Sequence, residues 1–247
     1  MILNKQPRPS HHTLSLVFTG LSVFSVGILA VLTFSFPTSI ITFNLQKQLI
    51  GSIFAAICLI GIIVGVFPSK CSHILHFRGR SENSDKTGQI DREKTTIEFR
   101  GHHPICGNFS AHIIRRGDKI YCAGCTGLVS GAIISLFASF SYSFSDFNVG
   151  ESSVFVFCFG LVAVVCGLLQ YHILNLNKGA VHFFLNVIFV LGAFFLLVGV
   201  HEITGNFILE FYLFTLIIYW IITRIMTSQL KHSTICATCD LKSCEDV

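Results

Sequence analysis

Charge is what this chain has least of. Only 12% of its 247 residues are Asp, Glu, Lys or Arg, about half of the ~25% that an ordinary soluble domain carries. With 52% of the residues hydrophobic, that scarcity excludes a water-soluble fold of this size, because too little polar surface exists to cover the apolar mass. Tryptophan occurs once, against 25 phenylalanines. The chain also lacks a Walker loop, a G-x-S-x-G elbow, an H-E-x-x-H pair and a dinucleotide fingerprint, so none of the reactions that those motifs serve is encoded, and no catalytic residue is assigned. No apolar run holds the several central charges of a proton relay or ion pathway. The charges of the one long polar region are mixed in sign, which argues against a nucleic-acid surface.

What is present is a set of long apolar runs. Six of them, at about 13–36, 49–67, 126–142, 154–174, 181–200 and 207–225, are near the ~20 residues that a helix needs to cross a hydrocarbon core. The fold class expected is an all-α polytopic membrane protein of about six transmembrane helices, with a small cytosolic His/Cys-rich β-hairpin module. The first run is too long for a signal peptide and has no good cleavage site, so it reads as a retained span. Pro37 and Pro68 end the first two spans. Gly61 with Gly65, and Gly127 with Gly131, are pairs of small residues that let a neighbouring helix approach closely. The resulting division is a two-span hairpin over 1–68, a flexible linker over 69–95, a His/Cys module over 96–125, a four-span bundle over 126–225 and a Cys-rich polar tail over 226–247. In the module, Thr96-Ile-Glu-Phe99 alternates like a strand. Two further strand-like runs flank Arg115-Arg-Gly-Asp118, which reads as a turn.

Six spans put both termini on one side. That side then receives every Lys and Arg except Lys47, and the positive-inside rule makes it the cytoplasmic face of the cell membrane. Thiols there are kept reduced.

Nine of the ten cysteines divide by context into three groups, and Cys71 stands alone near a helix end. Cys58, Cys158 and Cys166 lie inside apolar runs and read as small hydrophobes. Cys106, Cys122 and Cys125 lie in a polar block with His102, His103 and His112. His103-Pro-Ile-Cys106 and Cys122-Ala-Gly-Cys125 each leave two residues between ligands, and fifteen residues separate Cys106 from Cys122. This is the layout of a small zinc site, with His in the first position. His103, Cys106, Cys122 and Cys125 are the favoured ligands, and His102 and His112 are alternates. The tail repeats the chemistry in His232, Cys236, Cys239 and Cys244, spaced for a second zinc or, with one thiolate short of the usual set, an Fe–S cluster.

The pieces His102-His-Pro-Ile-Cys106, Asn108-Phe-Ser110 and Cys122-Ala-Gly-Cys-Thr-Gly127 resemble a motif of an uncharacterised family of prokaryotic polytopic membrane proteins, a domain of unknown function. In that family a Cys-His-Gln element precedes Arg-Ser-Phe and then Cys-Ala-Arg-Cys-Thr-Gly, which enters a transmembrane helix. Here the Cys-His-Gln order is not kept and Gly124 replaces the basic residue. The resemblance implies a polytopic membrane protein and adds no reaction.

Three functions follow. The first is a membrane protein whose cytosol-facing zinc module is structural or contacts a cytosolic protein partner. The second is a transporter or metal-homeostasis protein. The third is a membrane redox enzyme using the Cys122/Cys125 dithiol. Glu210, His172 and His182 stand near span ends, where their side chains are expected to reach the lipid–water interface. Gln170 and Asn186 are candidates for interhelical hydrogen bonds.

Overall fold

A computed structural model describes residues 11–35, 44–66, 99–100, 113–116, 119–145, 149–171 and 179–237 of the chain. Its helices are α1 (His11–Ser35), α2 (Asn44–Val66), α3 (Ala123–Phe144), α4 (Ser153–Leu169), α5 (Gly179–Thr204) and α6 (Phe207–Ala237), and its strands are β1 (Phe99–Arg100), β2 (Ile113–Arg116) and β3 (Lys119–Cys122). All six helices contain a segment long and apolar enough to cross a membrane. The protein is a multi-pass membrane protein.

The side-chain pattern agrees with lipid as the solvent. On α1 the buried positions include Ser15, Thr19, Ser22 and Thr33, while Phe24 and Val31 are 67% and 66% exposed. The polar side of the helix therefore faces protein and the apolar side faces outward, the reverse of a water-soluble helix. Those inward hydroxyls are used. Ser22 Oγ donates to Thr223 Oγ1 on α6 at 3.0 Å, and Trp220 Nε1 donates to Ser25 Oγ at 2.9 Å. On α3, Ser139 Oγ donates to the Gly51 carbonyl of α2 at 2.9 Å.

Helix α5 is the most buried of the six and α2 the least. α5 packs against α1, α3, α4 and α6, whereas α2 lies mainly on α3. Glycines make the closest seams. A Cβ at Gly127 would lie 2.5 Å from the Phe183 carbonyl, and one at Gly131 would lie 3.1 Å from Val187, so α3 rides directly on the α5 backbone. The Gly61/Gly65 pair divides: Gly65 faces Val129, and Gly61 faces open space. A longer seam joins α4 to α5 through Gly160, Gly167, Gly192 and Gly199. Of the apolar-run cysteines, Cys58 packs in the core, while Cys158 and Cys166 face outward.

The helix limits differ from the hydropathy limits in instructive ways. Asn44, Gln46 and Lys47 begin α2 rather than forming a loop, and His201, Glu202 and Thr204 end α5 rather than leaving it. Gln46, Lys47, His201, Glu202 and Thr204 are retained in a helix because each polar group finds a partner on another element or on its own backbone. The helix α6 runs past residue 225 to Ala237, so His232 and Cys236 belong to its last turns.

The three strands form one sheet in the order β1-β3-β2, with β1 parallel and β2 antiparallel to β3. Arg115 and Arg116 are part of β2, leaving only residues 117 and 118 between it and β3.

Candidate functional site

The cysteines of the Cys-x-x-Cys element straddle a strand-to-helix junction. Cys122 is the last residue of β3 and the N-cap of α3, with extended backbone at φ −70° and ψ 120°. Cys125 follows in the first turn. The Cys122 side chain is buried and that of Cys125 half-buried. Both are thiols rather than a disulfide. The Cys122 carbonyl accepts a bond from Thr126 Oγ1 at 2.7 Å, which closes the turn that carries both sulfurs.

The register of the sheet fixes where the preceding block attaches. Arg100 of β1 pairs with Tyr121, and Ile113 of β2 pairs with Cys122. The chain therefore leaves β1 on one side of the end of β3 and re-enters β2 on the other side of the same end. Two strand spacings separate these points, about 10 Å. His102, His103, Cys106 and His112 belong to the intervening residues 101–112, which lie outside the described residues, as does His172. In the tail, Cys239 and Cys244 also lie outside them, and of His232 and Cys236 only the helical backbone is described. Among the described residues no group of three or more His, Cys, Asp or Glu is arranged to hold a metal. Two of the four favoured ligands, Cys122 and Cys125, are among them.

The same end of the bundle buries a residue that the sequence did not single out. Arg224 of α6 is only 3% exposed. Its Nη2 donates to Asn186 Oδ1 at 2.8 Å, and its guanidinium lies 4.1 Å from the centre of the Tyr171 ring. Tyr171 stacks in turn on His182 at 5.7 Å, and His182 Nδ1 is 3.4 Å from Gln170 Oε1. The expected interhelical roles of Gln170 and Asn186 are thus realised, though His182 is buried inside the bundle rather than reaching the interface. Arg224 is also in electrostatic reach of Cys122 and Cys125.

A second polar cluster occupies the opposite end of the bundle. Glu210 stands fourteen residues before Arg224 on α6, about 21 Å along a helix. It was expected to reach outward, yet it is fully buried. Gln46 Nε2 lies 3.0 Å from each Glu210 carboxylate oxygen, and His201 Nδ1 lies 2.7 Å from Oε1, the contact of an ion pair. Gln46 also donates to the Gly205 carbonyl at 3.1 Å. One carboxylate thus joins α2, α5 and α6. Nearby, Tyr142 donates to Glu202 at 2.7 Å, and Lys47 sits 4.3 Å over the Tyr142 ring while donating to the Ser145 carbonyl.

No family model, no curated protein and no solved structure matches this chain.

Proposed function

We propose that this multi-pass protein sits in the cell membrane with both termini in the cytosol, and that its cytosolic end carries a zinc clasp. His103, Cys106, Cys122 and Cys125 are the ligands, with His102 and His112 as alternates. The observation that carries this reading is the sheet register. The described residues on either side of positions 101–112, Arg100 and Ile113, pair with Tyr121 and Cys122 at one end of β3, beside the strand that delivers the Cys122 sulfur. The charge asymmetry of the chain supports the orientation, and reducing cytosol favours metal over disulfide. Three thiolates and an imidazole suit zinc in a closed tetrahedron, and the ion would contribute folding energy to a sheet whose strands have two to four residues. The clasp is structural, or it presents the sheet to a cytosolic protein partner. The tail cluster of His232, Cys236, Cys239 and Cys244 is a second zinc site, or with less fitting chemistry an Fe–S site. The resemblance to the uncharacterised prokaryotic family agrees with this arrangement without adding an activity.

Elemental analysis of the purified full chain in detergent tests the clasp. About one zinc per chain should be lost with either Cys122→Ser or Cys106→Ser, and a further one should be lost with Cys239→Ser if the tail also binds. A wild-type protein free of metal would end this reading. Orientation has a separate check. A membrane-impermeant thiol reagent applied to whole cells should leave Cys236 and Cys239 unlabelled, and labelling of either one inverts the topology.

A second reading, dithiol redox exchange, is favoured by one observation. The two sulfurs, both free thiols, flank the first turn of α3 with two residues between them, the spacing of an exchangeable dithiol. It predicts a reversible change in thiol labelling between oxidised and reduced samples of metal-free protein. Transport receives less support, because Glu210 is already held by Gln46 and His201.

A further inference from the structure

We infer that Arg224 is the floor of a binding site for a phosphate-bearing anion, at the end of the bundle that carries the sheet. The site stands apart from the zinc clasp and does not depend on it.

A guanidinium among membrane helices is costly unless it is paired. Arg224 is 3% exposed, and its Nη2 donates to Asn186 Oδ1 at 2.8 Å. Nε and Nη1 have no hydrogen-bond partner among the described residues. Buried donors in that position are uncommon, and a bound ion is one of their ordinary explanations. The described neighbours do not balance the charge. Asn186 is a neutral amide, and its Nδ2 is spent on the His182 carbonyl. The Tyr171 ring offers the guanidinium only a neutral face, at 4.1 Å. The Thr227 hydroxyl is turned to the carbonyls of Thr223 and Arg224. Among the described residues the carboxylate in ion-pair contact is Glu210, which holds His201 at the far end of the bundle, ~21 Å away along α6.

Chemistry, field and depth all fit a phosphate. A guanidinium is always charged, and its planar N–H groups match phosphate oxygens. The first turn of α3, the positive end of a 22-residue helix, abuts the same Asn186, whose Nδ2 lies 3.9 Å from where a Gly124 Cβ would stand. Along α6, Arg224 comes seventeen residues after Phe207, where the apolar segment begins. That is ~26 Å along the helix, against a hydrocarbon core of ~30 Å, so the guanidinium lies within about one turn of a headgroup layer. Arg224 does not extend to that layer, so the anion comes to it. Tyr171, half-buried, is the described neighbour of the guanidinium that reaches the protein surface, and its hydroxyl donates to Ser228 Oγ across 3.3 Å. Turning of that ring opens the donors. An anionic lipid headgroup and a soluble phosphate share this chemistry.

The test is the melting of the purified full chain in a maltoside detergent, which carries neither phosphate nor charge. The wild type should be stabilised, in a saturable way, by added phosphatidylglycerol, by inorganic phosphate or by both, and not by diacylglycerol, which has no phosphate. A response to the lipid alone identifies a headgroup as the ligand, and a response to inorganic phosphate identifies a soluble one. Arg224→Met, an apolar chain of similar length, should raise the concentration that gives half the shift by about tenfold or more. Asn186→Asp is the second arm. It sets a carboxylate against the guanidinium while keeping the contact between α5 and α6, so it competes with the anion and should weaken the response by a similar factor. Should Arg224→Met fail to fold, Asn186→Asp decides alone. An arginine with a purely structural role predicts the wild-type response in every variant that folds. That result overturns the inference, as does a wild type that responds to neither phosphate source or responds equally to diacylglycerol.

Discussion

Glu210→Ala is expected to be the most damaging polar substitution in the bundle. The side chain is fully buried and holds Gln46 and His201 at once. Removing it strands a buried imidazole and leaves the half-buried Gln46 amide with the Gly205 carbonyl as its remaining described acceptor. Breaking a buried pair by deleting one partner costs about 3–5 kcal/mol, and the Gln46 contact is a main tie between α2 and α6, since α2 packs mainly on α3. The thermal midpoint in detergent should therefore fall steeply. Glu210→Gln, which keeps an acceptor, should lose less. The triple change Gln46→Leu, His201→Leu, Glu210→Met removes every partner together and should recover much of the loss. If Glu210→Ala melts within a degree or two of wild type, the carboxylate does not fasten these helices.

The second large effect is steric. A Cβ at Gly192 would lie 2.7 Å from the Ala163 Cβ and 3.1 Å from the Val164 amide nitrogen on α4. The backbone cannot rotate out of the way as a flexible side chain would. Gly192→Ala should cost about 1–3 kcal/mol, the range for overpacking a close-packed site. Gly192→Leu forces the two helices apart along the whole seam and should abolish monodisperse protein in size-exclusion chromatography. Gly20 and Gly61 provide the control, because nothing lies within 4 Å of a Cβ at either. Leucine at those positions should leave yield and elution unchanged. Equal damage at Gly61 and Gly192 would mean that the substitution does not act through the seam, since leucine is a better helix former than glycine at either position.

The division between what could and could not be read from the sequence follows the physics. Six spans are legible because lipid contact demands uninterrupted apolar runs, and no folding of the rest of the chain can replace them. The close approach at Gly127 and Gly131 is legible because small residues four apart share a helix face. The α4–α5 seam had a signal too: Gly160 and Gly167, like Gly192 and Gly199, are seven residues apart, the spacing that returns to one face after two turns.

The ends of the helices were harder. Gln46 and His201 look like loop residues because their polarity is cancelled by partners that lie 164 and 9 residues away from them in sequence. The same holds for Glu210, whose expected outward reach depended on having no partner inside. At the cysteine junction, spacing alone selected Cys122 and Cys125 as a turn-borne pair. Nothing local could select Arg224, whose partner Asn186 lies on another helix, 38 residues earlier in the chain. Its sequence context, Ile221-Ile-Thr-Arg-Ile225, is that of an ordinary arginine at a span end, reaching for lipid headgroups.

The single tryptophan gives the molecule an optical reporter of its own. Trp220 is fully buried, and its indole N–H is bonded to Ser25. All indole emission from the protein thus originates at one contact, where the first helix meets the last. Any separation of these helices would break that bond and move the ring into lipid or water, changing both the wavelength and the polarisation of the emission. The chain can therefore be observed assembling or coming apart at its two extremities without a label being attached.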